Sequence, residues 1–236
     1  MSIPPQVKQH YSARAMLDVV HRHYNVLMRY GFTGDNTLAC VGACRDELTR
    51  PLFRSVQQCW GEAFNFASLG GMLTLGKTGF AAATHHAPVE RGRTRFVFYA
   101  TVHIGCDEKG VMGQVARSGR GTTAACGALA GLLQSLQEGS VDPNEDDPDD
   151  IERVTLARRI CERLEEGAKP DLVQLTRLAL EVASGDLKRL IACTLEGEPS
   201  DYSVVTGTLI HTIDQQLFAL EECYVVCDGK QEDLEL

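Results

Sequence analysis

The chain has 236 residues, a formal net charge of −9 and a hydrophobic fraction of 44%. That length and composition suit a globular α/β chain with a real core, and the acidic balance without any basic run argues against nonspecific nucleic-acid binding. No apolar stretch is long enough to span a bilayer, and residues 1–16 lack the apolar core of a secretory signal, so no membrane span and no targeting peptide are expected.

Residues 12–31 carry Met16, Val19, Val20, Tyr24, Leu27 and Met28 at helical spacing, with Ser12 as cap and Gly31 as stop. Asn36 to Ala43 is an apolar run between turn signals, the pattern of a buried strand, and it leads straight into Cys44. Asp46 to Trp60 reads as a helix with Pro51 near its first turn, where the missing N–H is tolerated. The glycine-rich stretch 61–93 predicts loops around one short element near Gly79 to Thr84. Thr94 to Ile104, aromatic and β-branched, is the strongest strand and holds His103 near its end. A glycine-rich loop over Gly105 to Gly121 follows, then a helix over Thr122 to Gln137 with Cys126 in its first turns. An acidic, proline-bearing linker near 138–150 precedes a helix pair at 151–167 and 171–183, and a short helix at 186–193. Tyr202 to Ile213 and Leu217 to Cys227 predict a strand hairpin turned by Asp214, Gln215 and Gln216, followed by an acidic, frayed tail.

Cys44, His103 and Cys126 thus fall where a strand ends or a helix begins, with Asp46 beside the first. Two thiolates, one imidazole and a spare carboxylate are the inventory of a zinc site with an open fourth position, suited to hydrolytic or hydrating chemistry. Adjacent parallel strands bring such ends to one edge of a sheet, and a helix start lowers a thiol's pKa. Any one of these residues alone is more often plain core; the convergence of three points to a metal. Cys106 competes with Cys126, because His103-x-x-Cys106 is also a ligand-like spacing. Cys40, Cys59, Cys161, Cys193, Cys223 and Cys227 are scattered through apolar or helical settings. That scatter speaks for a reducing compartment rather than a disulfide framework.

Two motifs point elsewhere. Gly71 to Thr78 spells G-x-x-x-x-G-K-T, the pattern of a phosphate-binding loop, and Asp107 could pose as its magnesium aspartate. The loop interior, Met-Leu-Thr-Leu, is bulky for a phosphate cradle, and no long helix follows. Asp142, Asn144 and Asp146 have the spacing that opens a calcium loop, but the glycine at position six and the closing glutamate are missing.

Cys44-x-Asp46 and Cys126-Gly127-Ala128 resemble segments of beta-class carbonic anhydrases. The blocks NTLACVGACRDE, GGMLTLGKTGF, FVFYATVHIG and TAACGAL, in this order, more closely resemble the algal limiting-CO2-inducible B/C family, the theta-class carbonic anhydrases. The resemblance spans nearly the whole chain. It implies one carbonic-anhydrase-like domain over 1–236 with the acidic linker inside it. The implied fold is α/β, with a central, mostly parallel sheet flanked by helices, a C-terminal helical segment and a strand hairpin. It further implies a homodimer and one Zn2+ per chain on Cys44, His103 and Cys126. The implied reaction is reversible hydration of CO2 to bicarbonate by zinc hydroxide, which an Asp–Arg pair orients, as part of inorganic-carbon concentration. In an algal or diatom chain the implied compartment is the plastid.

Asp46 is the aspartate of that pair. The beta-class arginine would fall at Leu48, which cannot pair with it. Arg50, four residues after Asp46, is the favoured partner and Arg45 the alternative. His85 and His86 are candidate proton shuttles, and Phe64, Phe66, Met72, Leu75 and Tyr99 are candidates to line an apolar CO2 pocket. His211 reads as a core or edge residue. The resemblance also implies that some relatives keep the zinc site yet show little activity, so a zinc-bearing regulatory or interaction protein without turnover is the second reading.

Overall fold

A computed structural model describes residues 3–117, 119–165 and 167–236. In chain order the N-terminal part contains α1 (Pro5–His10), β1 (Ala13–Ala15), α2 (Met16–Leu27), β2 (Leu38–Gly42), α3 (Arg50–Trp60) and β3 (Ala63–Asn65). The middle contains α4 (Gly76–Thr84), β4 (Val89–Glu90), β5 (Arg93–Gly105), β6 (Gln114–Arg117), β7 (Gly121–Ala124) and α5 (Gly127–Glu138). The last part contains α6 (Ile151–Cys161), α7 (Leu172–Leu195), β8 (Ser200–His211), β9 (Gln216–Cys227) and β10 (Lys230–Asp233).

The main sheet runs in the order β1-β9-β8-β5-β2-β3, with β10 beside β9 and β4 beside β5. Strands β3, β2, β5 and β8 are parallel, and β9 turns back antiparallel on β8. Central parallel strands are covered on both faces, so they read as continuous apolar runs rather than alternating ones. β5 shows this directly, being buried without a break from Phe96 to Gly105. On one face Val97 and Tyr99 pack with Val19, Leu52, Val56 and Trp60 of α2 and α3. On the other, Phe96 and Phe98 pack with Phe80 of α4 and Leu187, Leu190 and Ile191 of α7. His23, fully buried, spends both ring nitrogens on the Tyr99 hydroxyl and Ser203 Oγ, each at 2.8 Å. Burial pushes its pKa down to about 3, leaving a neutral polar bridge inside the α2 layer.

Several elements differ from their sequence reading. The helix expected over 171–183 and the one at 186–193 are a single α7 of 24 residues. Ser184, Gly185 and Asp186 look like a break, yet the helix passes through them. Asp186 is buried and bound by Arg159 from α6 and by Arg189. The packing of α7 on β5, α4, α5 and α6 outweighs the roughly 1 kcal/mol a mid-helix glycine costs. The tail is not frayed, since β10 pairs with β9 and both Leu234 and Leu236 are buried. The expected loop over 105–121 contains β6, and the helix expected from Thr122 begins at Gly127, because Gly121–Ala124 pairs antiparallel with β6. The stretch 61–93 holds β3, α4 and β4 rather than one element. Residues 139–150, between α5 and α6, contain no helix or strand.

Candidate metal centre

Cys44 lies just beyond β2, where the chain bridges to Ser68. Its carbonyl accepts the Thr49 hydroxyl at 2.9 Å, closing the turn that follows. Asp46 caps that turn, with Oδ1 accepting the Leu48 N–H at 3.0 Å. His103 lies two residues before the end of β5.

Gly105 then knots three segments together. Its N–H donates to the Ala125 carbonyl at 2.8 Å and its carbonyl accepts the Gly113 N–H at 2.8 Å, while Ala125 N–H donates to the Gly113 carbonyl at 2.9 Å. A Cβ on Gly105 would lie 2.5 Å from the Gln114 carbonyl oxygen, so this approach needs glycine. Cys126 follows Ala125 directly, at the N-cap of α5, so the knot that ends β5 also delivers the second thiol. On the neighbouring strand the His211 carbonyl accepts the Cys106 N–H at 2.8 Å.

Cys44, His103 and Cys126 are brought together with one ligand atom from each within 4.8 Å of the others, and all three are buried. The two Sγ atoms are 3.6 Å apart. Two sulfurs at ~2.3 Å from a tetrahedral zinc would be ~3.8 Å apart, so the spacing suits that ion. His103 Nε2 is buried with no hydrogen-bond partner among the described residues, while Nδ1 is 3.0 Å from His211 Nε2. An orphaned imidazole nitrogen beside two close sulfurs is the donor set a metal would complete. It is the one cluster of its kind among the described residues.

The electrostatics agree. The hydrogen bond from Cys126 pulls the Cys44 thiol well below its ordinary range; burial opposes this, and His103 reinforces it. The same contact with Cys44 pushes Cys126 up, helped by burial and by the Cys44 charge, with the amides of Leu129 and Ala128 working the other way. Two buried thiols this close share one proton until a cation neutralises the second charge. Burial, then the charges of His103 and Arg117, holds His211 well below the usual histidine value, as a neutral ring.

Asp46 is paired with neither expected arginine. Its Oδ2 accepts from Arg117 Nη2 at 2.9 Å, and Arg117 also binds Glu47 and the Ala124 carbonyl. Arg45 pairs instead with Glu152, and no ion pair to Asp46 is made by Arg50 among the described residues. The helical i, i+4 geometry fails because Asp46 has extended backbone angles and a turn of 3-10 helix, Glu47–Thr49, intervenes before Arg50 starts α3. Burial works to raise the Asp46 pKa, but the Arg117 hydrogen bond, the Leu48 N–H and nearby positive charge carry it below the usual value. The sequence reading missed Arg117 because it lies in a presumed loop. The signal available was Gln-Val-Ala-Arg before a glycine turn and Gly-Thr-Thr-Ala after it.

The remaining candidates fall outside this cluster. Cys106 is buried and bridges to Met112 rather than joining the ligand group. Of the proposed apolar lining only Met72 packs in the thiols' cluster; Phe64, Phe66 and Leu75 pack around Phe80 and Phe98, and Tyr99 faces α2. His85 and His86 are exposed at the end of α4, with His86 against the Phe64 ring. In the phosphate-loop motif Met72 and Leu73 are buried and a Cβ on Gly71 would lie 2.5 Å from the Thr101 carbonyl, so the backbone faces the core instead of a ligand. Asp107 caps its own turn through the N–H groups of Lys109 and Val111.

Residues 13–227 match the profile of the family described as limiting CO2-inducible proteins B/C, beta carbonic anhydrases. The chain belongs to this family. Among solved structures, the limiting CO2-inducible protein LCIB is 32% identical over 96% of each chain, with a TM-score of 0.78. PtLCIB4, a homolog of that protein, shares the fold at 22% identity over 98% of this chain and 99% of its own, with a TM-score of 0.81. No curated protein sequence matches the chain. The chain thus brings Cys44, His103 and Cys126, a group that could hold a metal ion, to the carboxyl edge of a parallel sheet, where α/β proteins build their sites. No helix among the described residues is long and apolar enough to cross a membrane.

Proposed function

We propose that the chain holds one Zn2+ per copy on Cys44, His103 and Cys126 and catalyses the reversible hydration of CO2 to bicarbonate. The observation that carries this reading is the orphaned His103 Nε2 beside two sulfurs 3.6 Å apart, in a chain of this family. Zinc bound there, with an open position, supplies a Lewis acid that acidifies a water and presents it to a neutral electrophile. Cys44 and Cys126 would hold the ion as thiolates whose charges together cancel its own. Such a site would acidify a water less than an all-histidine one, so an acceptor that orients the water matters more. Asp46 is that acceptor, kept ionised and aimed by Arg117. Met72, Val102 and Leu129 give the thiols an apolar surround that excludes bulk water and tolerates CO2.

The proposal takes 1–236 as a single domain, acting as a homodimer in a reducing compartment that handles inorganic carbon, a plastid where the source is an alga or diatom. All nine cysteines are free. The second reading is a zinc-bearing regulatory or interaction protein of the same family that holds the ion on the same three residues without turnover.

Stopped-flow CO2 hydration on the zinc-loaded chain, with its mass measured by sedimentation, separates the two. The expected outcome is one zinc per chain, a dimer and measurable hydration, all but the dimer lost in Cys44→Ser and His103→Ala. Stoichiometric zinc without hydration selects the regulatory reading. Full hydration by a metal-free variant sinks both.

A further inference from the structure

His211 was legible in the sequence only as a core or edge residue, yet its Nε2 lies 3.0 Å from His103 Nδ1. We propose that His211 is a positioning residue that fixes the tautomer and ring angle of His103, so that Nε2 of His103 is free to bind the metal. This inference rests on the zinc reading above and deepens it.

The geometry allows only one loaded arrangement. His103 Nε2, buried beside the thiols, must offer a lone pair to be a ligand. The ring proton of a neutral His103 then sits on Nδ1, 3.0 Å from His211 Nε2. His211 Nε2 must therefore accept, which puts the His211 proton on its own Nδ1. The two rings meet edge to face, 73° apart with centroids at 5.1 Å, so the contact sets an angle as well as a distance. His211 is itself held, because its carbonyl accepts the Cys106 N–H and its strand pairs with β5 in register through Gly105.

Two measurements test this on the full chain. Long-range 15N–1H spectra of the histidine rings, recorded on the chain loaded with one equivalent of Zn2+, are expected to show the proton on Nδ1 of both His103 and His211. Chelator competition for zinc is expected to show affinity falling roughly 10- to 100-fold in His211→Leu, which removes the acceptor, and recovering in His211→Gln, whose side-chain carbonyl can accept the same proton. A loaded wild-type protein with His211 Nε2 protonated, or a folded His211→Leu variant with wild-type zinc affinity, overturns the role of His211 and leaves the metal centre standing. A wild-type chain that takes up no zinc overturns both.

Discussion

Asp46 shows how far one side chain depends on a distant one. Its carboxylate is 13% exposed and its partner Arg117 is 14% exposed, so the pair works where screening is weak. Arg117 lies 71 positions further along the chain and grips Asp46, Glu47 and the Ala124 carbonyl at once. A guanidinium fork can hold a carboxylate at a fixed angle in a way that a lysine cannot. In the proposed mechanism this angle decides whether Asp46 can orient a water. Arg117→Ala is therefore expected to lower kcat/KM by roughly 10- to 100-fold while zinc content stays at one per chain. Arg50→Ala, at a residue that makes no ion pair with Asp46 among the described residues, is expected to leave hydration unchanged. Stopped-flow assays of the two variants beside metal analysis check this, and the reverse ranking would return the pairing to Arg50.

The elements that position the site divide by how local their signals are. β2 and β5 were legible because buried parallel strands leave continuous apolar runs, and both ended close to where the composition indicated. The turn after β2 and the start of α5 were legible in part, from Cys44-Arg45-Asp46 and Cys126-Gly127-Ala128. The hairpin of β6 and β7 was not, because its strands are four residues each and glycine surrounds them. Nor could sequence alone place His211 opposite the end of β5, since that register joins residues 106 apart. Gly105 is the hinge of these non-local facts. Gly105→Ala drives a methyl against the Gln114 carbonyl and is expected to cost about 1–3 kcal/mol of stability. Its zinc affinity is expected to fall as well, because the same knot delivers Cys126. Chemical denaturation and chelator competition read the two effects separately.

At the scale of the whole molecule, the arginines of β5 that hold Asp201 tie stability to pH. Asp201, on β8, accepts a bidentate contact from Arg93, 2.6 Å to Oδ1 and 3.2 Å to Oδ2, and the Asp228 N–H at 3.1 Å. Burial alone would raise its pKa, but these donors and Arg95 carry it below the ordinary carboxylate value. The folded state therefore keeps the carboxylate charged at a pH where the unfolded chain has bound a proton. Its stabilisation is full above the ordinary carboxylate range and is lost as pH falls through the depressed value. Asp201→Asn is expected to lower stability by about 1–3 kcal/mol at pH 7, with the gap to wild type closing as pH falls into the acid range. Melting curves across pH check this, and a gap that widens toward acid would contradict it. The hairpin invites a different kind of accounting. β6 and β7 form a sheet of their own, apart from the eight strands of the main one. Two-stranded ribbons are marginal by themselves, and proteins open in parts as well as all at once. Arg117 rides on this ribbon at the end away from the Gly105 knot. In the proposed mechanism the aim of Asp46 then follows a local opening equilibrium with its own free energy, one that a melting temperature does not register.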